Sequence, residues 1–122
     1  MAARTSFDEV SSALKSILTP YAKDLVVDRA SAMGYALSTS HLLPNGQKLF
    51  FAGVRKGKSY VSFYLMPVYM FPELLDGVSP TLSKRMQGKS CFNFKTADPA
   101  MLKELAKLTK ASFARYKKEK LL

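Results

Sequence analysis

Residues that usually carry catalysis or bind metals are almost missing from this chain. It has one histidine (His41), one cysteine (Cys91), no tryptophan and only nine acidic residues against nineteen basic ones. A lone cysteine excludes an internal disulfide, which makes a reducing cytoplasm the expected location. One imidazole and one thiol about fifty positions apart fit neither C-x-x-C nor H-x-x-x-H, so no transition-metal site is expected. No G-x-x-x-x-G-K-[ST] or G-x-G-x-x-G pattern occurs, so no nucleotide cradle is signalled and no cofactor is expected. No run of eighteen apolar residues and no charged-then-apolar leader is present, which argues against a membrane association.

The 122 residues fit a single domain, 1–122, long enough to bury a core without disulfides or metal. Nearly half are apolar, as in ordinary soluble globules. The net charge of +10 favours anionic partners and disfavours clusters of carboxylates around a metal.

The segment Lys48–Pro72 (KLFFAGVRKGKSYVSFYLMPVYMFP) is the richest in information. It reads as two aromatic strands. A two-residue turn at Lys56-Gly57 pairs Val54 with Ser59, Ala52 with Val61 and Phe50 with Phe63. Strict alternation then puts Phe50, Ala52, Val54, Val61, Phe63 and Leu65 on one apolar face. Leu49, Phe51, Gly53, Arg55, Lys58, Tyr60, Ser62 and Tyr64 fall on the other. A three-residue loop would spoil that sorting. The weakness is the turn itself, because Lys56 would need a positive φ. Gly53 opposite Tyr60 suggests a ring lying over bare backbone.

Elsewhere the punctuation is clear. Met1–Thr5 reads as a loose tail. Ser6 and Glu9 have capping-box spacing, and Phe7, Val10, Leu14, Ile17 and Leu18 form a helical stripe that ends or kinks at Pro20. Leu25–Val27 and Met33–Thr39 are strand-like, with Gly34 marking a bulge or close approach. Pro44-Asn45-Gly46 is a turn. Pro67 takes the chain out of the sheet. Ser79-Pro80 opens a short helix over Pro80–Gln87, and Ser90–Lys95 alternates as a strand beside the hairpin. Asp98-Pro99 opens a last helix reaching about Lys118, with Leu102, Leu105, Leu108 or Thr109, and Phe113 on its buried side. Lys103, Lys107, Lys110 and Lys117 lie on a different side, as a solvated face or a landing strip for phosphates.

The remaining chemistry is sparse. Cys91 with His41 is the one conceivable thiol–imidazole pair, and strand placement makes Cys91 a packed thiol, with Lys89 or Lys95 able to lower its pKa. Asp8-Glu9 and Asp98 read as helix starts, and Asp24/Asp28 and Glu73/Asp76 as surface pairs. Lys56–Phe63 partly matches the RNA-recognition pattern K/R-G-F/Y-G/A-F-V-x-F/Y, but Lys58 breaks the first stacking position, and a helix stands where that module has a strand.

The second face of the hairpin is therefore the candidate site: Phe51, Tyr60 and Tyr64 for contact area, with Arg55 and Lys58 for an anion. Either another element or a second copy of the chain covers it, or it is a platform for a protein partner or small anionic ligand. Non-enzymatic binding is the expected activity, with homodimerisation open and nucleic acid disfavoured.

The phrases FFAGVRKGKSYVSFYLMPVY and SPTLSKRMQGKSCFNFK, together with Gly34-Tyr35, resemble the YdhG-like superfamily of small bacterial domains. The resemblance runs from the N-terminal helix through the last one. It implies an α+β fold, with a curved antiparallel sheet of four to five strands and the N- and C-terminal helices packed on one face. For some relatives it also implies a frataxin-like role in carrying iron. That role depends on exposed acidic residues, which this chain has few of. Iron carriage is the first alternative; nucleic-acid binding through the basic C-terminal helix is the second.

Overall fold

The computed structural model describes residues 7–31, 34–88, 90–96 and 98–121. The Met1–Thr5 tail, the Ser6 cap, Met33 and Lys89 lie outside the described residues, as do the side chains of Phe7 and Asp8. The fold is α+β. Five strands form one antiparallel sheet in sequential order: β1 (Val26–Ala30), β2 (Gly34–Leu42), β3 (Lys48–Lys56), β4 (Val61–Leu65) and β5 (Cys91–Phe94). Helix α1 (Phe7–Leu18) and helix α4 (Pro99–Lys118) pack together, and α1 lies against β3 and β4. Two shorter helices, α2 (Met66–Met70) and α3 (Pro80–Ser83), link β4 to β5.

The helical layer follows from sequence spacing. Val10, Leu14 and Leu18 recur at intervals of four and are fully buried. A 3₁₀ segment, Thr19–Asp24, follows with Pro20 in its first turn. In α4 the Asp98 carboxylate accepts from the Ala100 amide at 3.0 Å, which is the expected N-cap. Leu105, Leu108 and Tyr116 face the core, and the buried hydroxyls of Thr109 and Ser112 are satisfied by donating to the Leu105 and Leu108 carbonyls at 2.8 Å. Lys103, Lys107, Lys110 and Lys117 are exposed.

Three expectations need correction. The first is the turn. Lys56 pairs with Val61, Val54 with Phe63 and Ala52 with Leu65, so the connection is the four residues 57–60, closed by Gly57 N–H donating to the Tyr60 carbonyl at 3.0 Å. The wider loop avoids the positive φ that a two-residue turn would demand of Lys56. Among the described residues the one non-glycine with positive φ is Lys120. The register moves by an even number of residues, so Val61, Phe63 and Leu65 still face the helices.

The second correction concerns β3. Leu37 pairs with Ala52 and the next residue, Ser38, pairs with Phe50, so Phe51 is an extra residue in the ladder. A bulge of this kind reverses the alternation on one side of itself. Leu49 and Phe51 therefore point to the helices together with Ala52 and Val54. Phe50 goes to the other face. Gly34, expected to mark a bulge or close approach, pairs regularly with Arg55, and the other register shifts fall between Val27 and Arg29 and between Ser38 and Leu42.

The third is α3, which stops at Ser83 instead of Gln87. Residues 84–87 turn back along β5. Met86 bridges Phe92, Asn93 N–H donates to the Arg85 carbonyl at 2.7 Å, and Gln87 N–H donates to the Cys91 carbonyl at 2.9 Å. The backbone hydrogen bonds lost from the helix are recovered on the sheet edge.

Candidate functional site

The helix-free face of the sheet carries a hollow of about 800 Å³. Its floor is built from small residues: Gly34 and Ala36 on β2, Gly53 on β3 and Ser62 on β4. Cross-strand neighbours with little or no side chain leave a trough, and larger residues make its walls. Phe50 and Tyr64 stand on the strands, Arg55 lies one residue before the end of β3, and Lys58 and Tyr60 come from the 57–60 loop. Arg55 and Lys58 are exposed, and Tyr60 is 37% exposed.

Gly53 has a physical reason to be glycine. A Cβ there would sit 3.1 Å from the Cζ atom of Phe50 and 3.0 Å from the Tyr35 carbonyl oxygen. The ring lying over bare backbone is thus Phe50, not Tyr60, and the residue opposite Gly53 in the ladder is Tyr64.

Of the five expected site residues, Arg55, Lys58, Tyr60 and Tyr64 line this hollow and Phe51 does not. Phe51 is fully buried on the opposite face, with its ring 5.8 Å from those of Phe113 and Tyr116 and 5.9 Å from that of Tyr21. Its expected place is taken by Phe50, because the bulge exchanges the two neighbours. Strict alternation across a double Phe could not reveal this exchange.

A second hollow, of about 320 Å³, shares Tyr60 with the first. Lys84, Arg85 and Lys95 surround it, with Gln87 and Asn93. Sequence reading assigned no site role to this group, because Lys84 and Lys95 are separated by a turn and a strand. A short polar chain joins the two hollows. Ser62 Oγ donates to Asn93 Oδ1 at 2.7 Å, and Asn93 Nδ2 donates to Gln87 Oε1 at 2.6 Å. Among the described residues no carboxylate lines either hollow. Several acids are engaged elsewhere: Glu73 with Arg115 at 2.7 Å, Glu104 with Ser79 at 2.6 Å, and Asp28 with the hydroxyl of Ser38.

The thiol and the imidazole do not meet. His41 on β2 and Cys91 on β5 are three strand spacings apart, roughly 14 Å at the least. Burial pushes the Cys91 thiol above its ordinary pKa, partly opposed by hydrogen bonds with Ser62 and Tyr64. Its Sγ lies 3.3 Å from Asn93 Oδ1. Such a thiol is a poor nucleophile at neutral pH. Among the described residues no three His, Cys, Asp or Glu side chains converge as metal ligands, and no helix is long and apolar enough to cross a membrane.

Comparison of the chain with protein-family models, curated proteins and solved structures finds no match.

Proposed function

We propose that this chain is a non-enzymatic binding module whose helix-free sheet face takes a ligand combining a flat apolar part with negative charge. One observation carries the reading: a trough of small residues is walled by the rings of Phe50, Tyr60 and Tyr64, with Arg55 and Lys58 at its rim and no acid in its lining among the described residues. Flat groups gain contact area from aromatic walls, and the cations select for anions. A volume of about 800 Å³ suits a ligand of modest size. The concavity favours such a ligand over a flat protein partner, which needs roughly 800 Å² of complementary surface on each side.

The alternatives have less to rest on. Iron carriage calls for convergent oxygen ligands, and no group of three candidate ligands comes together among the described residues. Lys103, Lys107 and Lys110 belong to the helical layer, with the sheet between α4 and the Arg55 face. A place among YdhG-like domains belongs to this proposal and rests on the sequence phrases.

The test uses 8-anilinonaphthalene-1-sulfonate, which joins aromatic rings to one anionic group. Saturable one-to-one binding to the native protein, weakened by Arg55→Glu and by Tyr64→Ala, is expected. Binding that neither substitution changes contradicts the assignment.

A further inference from the structure

We propose that the two hollows form one cleft for single-stranded nucleic acid, with Tyr60 as a stacking post between two cationic ends. This inference rests on the ligand reading above and names the ligand class.

Arg55 and Lys58 line one hollow, Lys84, Arg85 and Lys95 line the other, and Tyr60 lines both. These cations come from β3, the 57–60 loop, the segment after α3 and the residue after β5. The fold holds that arrangement firmly. The Lys84–Gln87 backbone is tied to β5 by the Asn93-to-Arg85 and Gln87-to-Cys91 hydrogen bonds, and the Ser62–Asn93–Gln87 side-chain chain runs beneath. The pattern is cation, ring, cation, and a nucleotide strand repeats phosphate, base, phosphate.

The kind of cation selects a polymer over a small phosphate. All five are exposed. Exposed charges are screened, so each adds only modestly to the hold that the aromatic walls have on a single small anion. A polynucleotide differs because each neutralised phosphate releases condensed counterions, which makes several weak contacts add up. Ring faces at Phe50, Tyr60 and Tyr64 select the single strand, since a duplex hides its base faces in the stack. Asp28, the acid held by Ser38, lines neither hollow.

The experiment is fluorescence anisotropy with a labelled oligothymidylate of about eight nucleotides, a length within the range that single-strand sites cover. Binding is expected at low salt, with log affinity falling linearly against log salt by roughly 0.7 per phosphate contact. Tyr60→Ala is expected to weaken binding about tenfold or more. The combined Lys84→Glu, Arg85→Glu and Lys95→Glu variant is expected to do the same and to flatten the salt slope. The control is Lys103→Glu, Lys107→Glu and Lys110→Glu on α4, which changes net charge equally. At physiological ionic strength, where fields decay over about 8 Å, it is expected to have little effect. All these positions are exposed, so the variants are expected to fold.

Equal losses from the two triple variants would overturn the proposal, as would duplex DNA competing as well as the single strand. If the anilinonaphthalene sulfonate binds the open face and the oligonucleotide does not, the strand proposal fails while the ligand reading stands. If neither binds, both fail.

Discussion

The Tyr116 hydroxyl donates a 2.9 Å hydrogen bond to the Phe50 carbonyl, across 66 residues of sequence. This bond ties the last helix to the point where β3 bulges. The bulge decides that Phe51 enters the core and Phe50 walls the trough. Tyr116 is fully buried, and its hydroxyl has no solvent to turn to. The core and the candidate site therefore share one polar contact.

Replacing Tyr116 by Phe keeps the ring and removes this bond to the Phe50 carbonyl. A loss of about 1–2 kcal/mol is expected. Urea denaturation reads it as a lower midpoint with an unchanged slope. No loss of stability would show that the bond does not hold the bulge.

Tyr116 also predicts an alkaline limit. Burial raises its pKa far above the ordinary tyrosine value, and burial raises that of Tyr21 as well. A phenol with a raised pKa in the folded state leaves stability intact below about pH 10. Above it the unfolded chain ionises first, and stability falls by up to about 1.4 kcal/mol per pH unit for each such group. Denaturation midpoints from pH 8 to 11.5 are expected to fall beyond pH 10, and less steeply in Tyr116→Phe.

An acid limit arises where α4 meets α3. Both oxygens of Glu104 accept from Ser79, one from its hydroxyl and one from its amide, each at 2.6 Å. The hydroxyl bond first and the amide bond second lower the Glu104 pKa. A carboxyl with a lowered folded pKa contributes stability above its unfolded value and loses it as pH falls through the folded one. Stability is expected to decline below about pH 4.5, with the Glu104→Gln variant showing less of that decline. Solvent exposure keeps the effect below about 1 kcal/mol.

Gly53 gives a test that joins stability to the site. Gly53→Val places branched carbons against the Phe50 ring and the Tyr35 carbonyl. The carbonyl is backbone and cannot swing away. A cost of about 1–3 kcal/mol is expected, with Phe50 displaced into the trough and anilinonaphthalene sulfonate binding weakened. Wild-type binding by this variant would show that the trough is not the site.

Cys91 is expected to react with iodoacetamide at pH 8 more slowly than a small free thiol, because burial keeps it protonated. Reaction faster than the free thiol would mean that the thiol is activated.

Much of this was legible in the sequence. The stripe of Val10, Leu14 and Leu18, the Asp98 cap, the Pro44-Asn45-Gly46 turn and the strand within Ser90–Lys95 beside the hairpin all follow from local rules, and the structure places them as those rules require. Arg55 and Tyr64 were readable because parity survives an even shift of register, while Lys58 and Tyr60 reach the same hollow from the 57–60 loop, where parity does not apply. Phe50 was not. A bulge is a disagreement between two strands, and neither strand alone records it. Tyr116 was within reach, since it continues the spacing from Leu105, Leu108 and Ser112. Lys84, Arg85 and Lys95 were out of reach because only the tertiary fold folds their segment back along β5 and brings them to Tyr60.

The central claim is that the helix-free sheet face is the binding surface. Amide shift mapping by two-dimensional NMR during titration with 8-anilinonaphthalene-1-sulfonate tests it most directly. The account predicts saturable shifts at Ala36, Gly53, Arg55, Tyr60, Ser62 and Tyr64, with α4 unmoved. Shifts confined to the Lys103–Lys110 stretch of α4, or none at all, would contradict it.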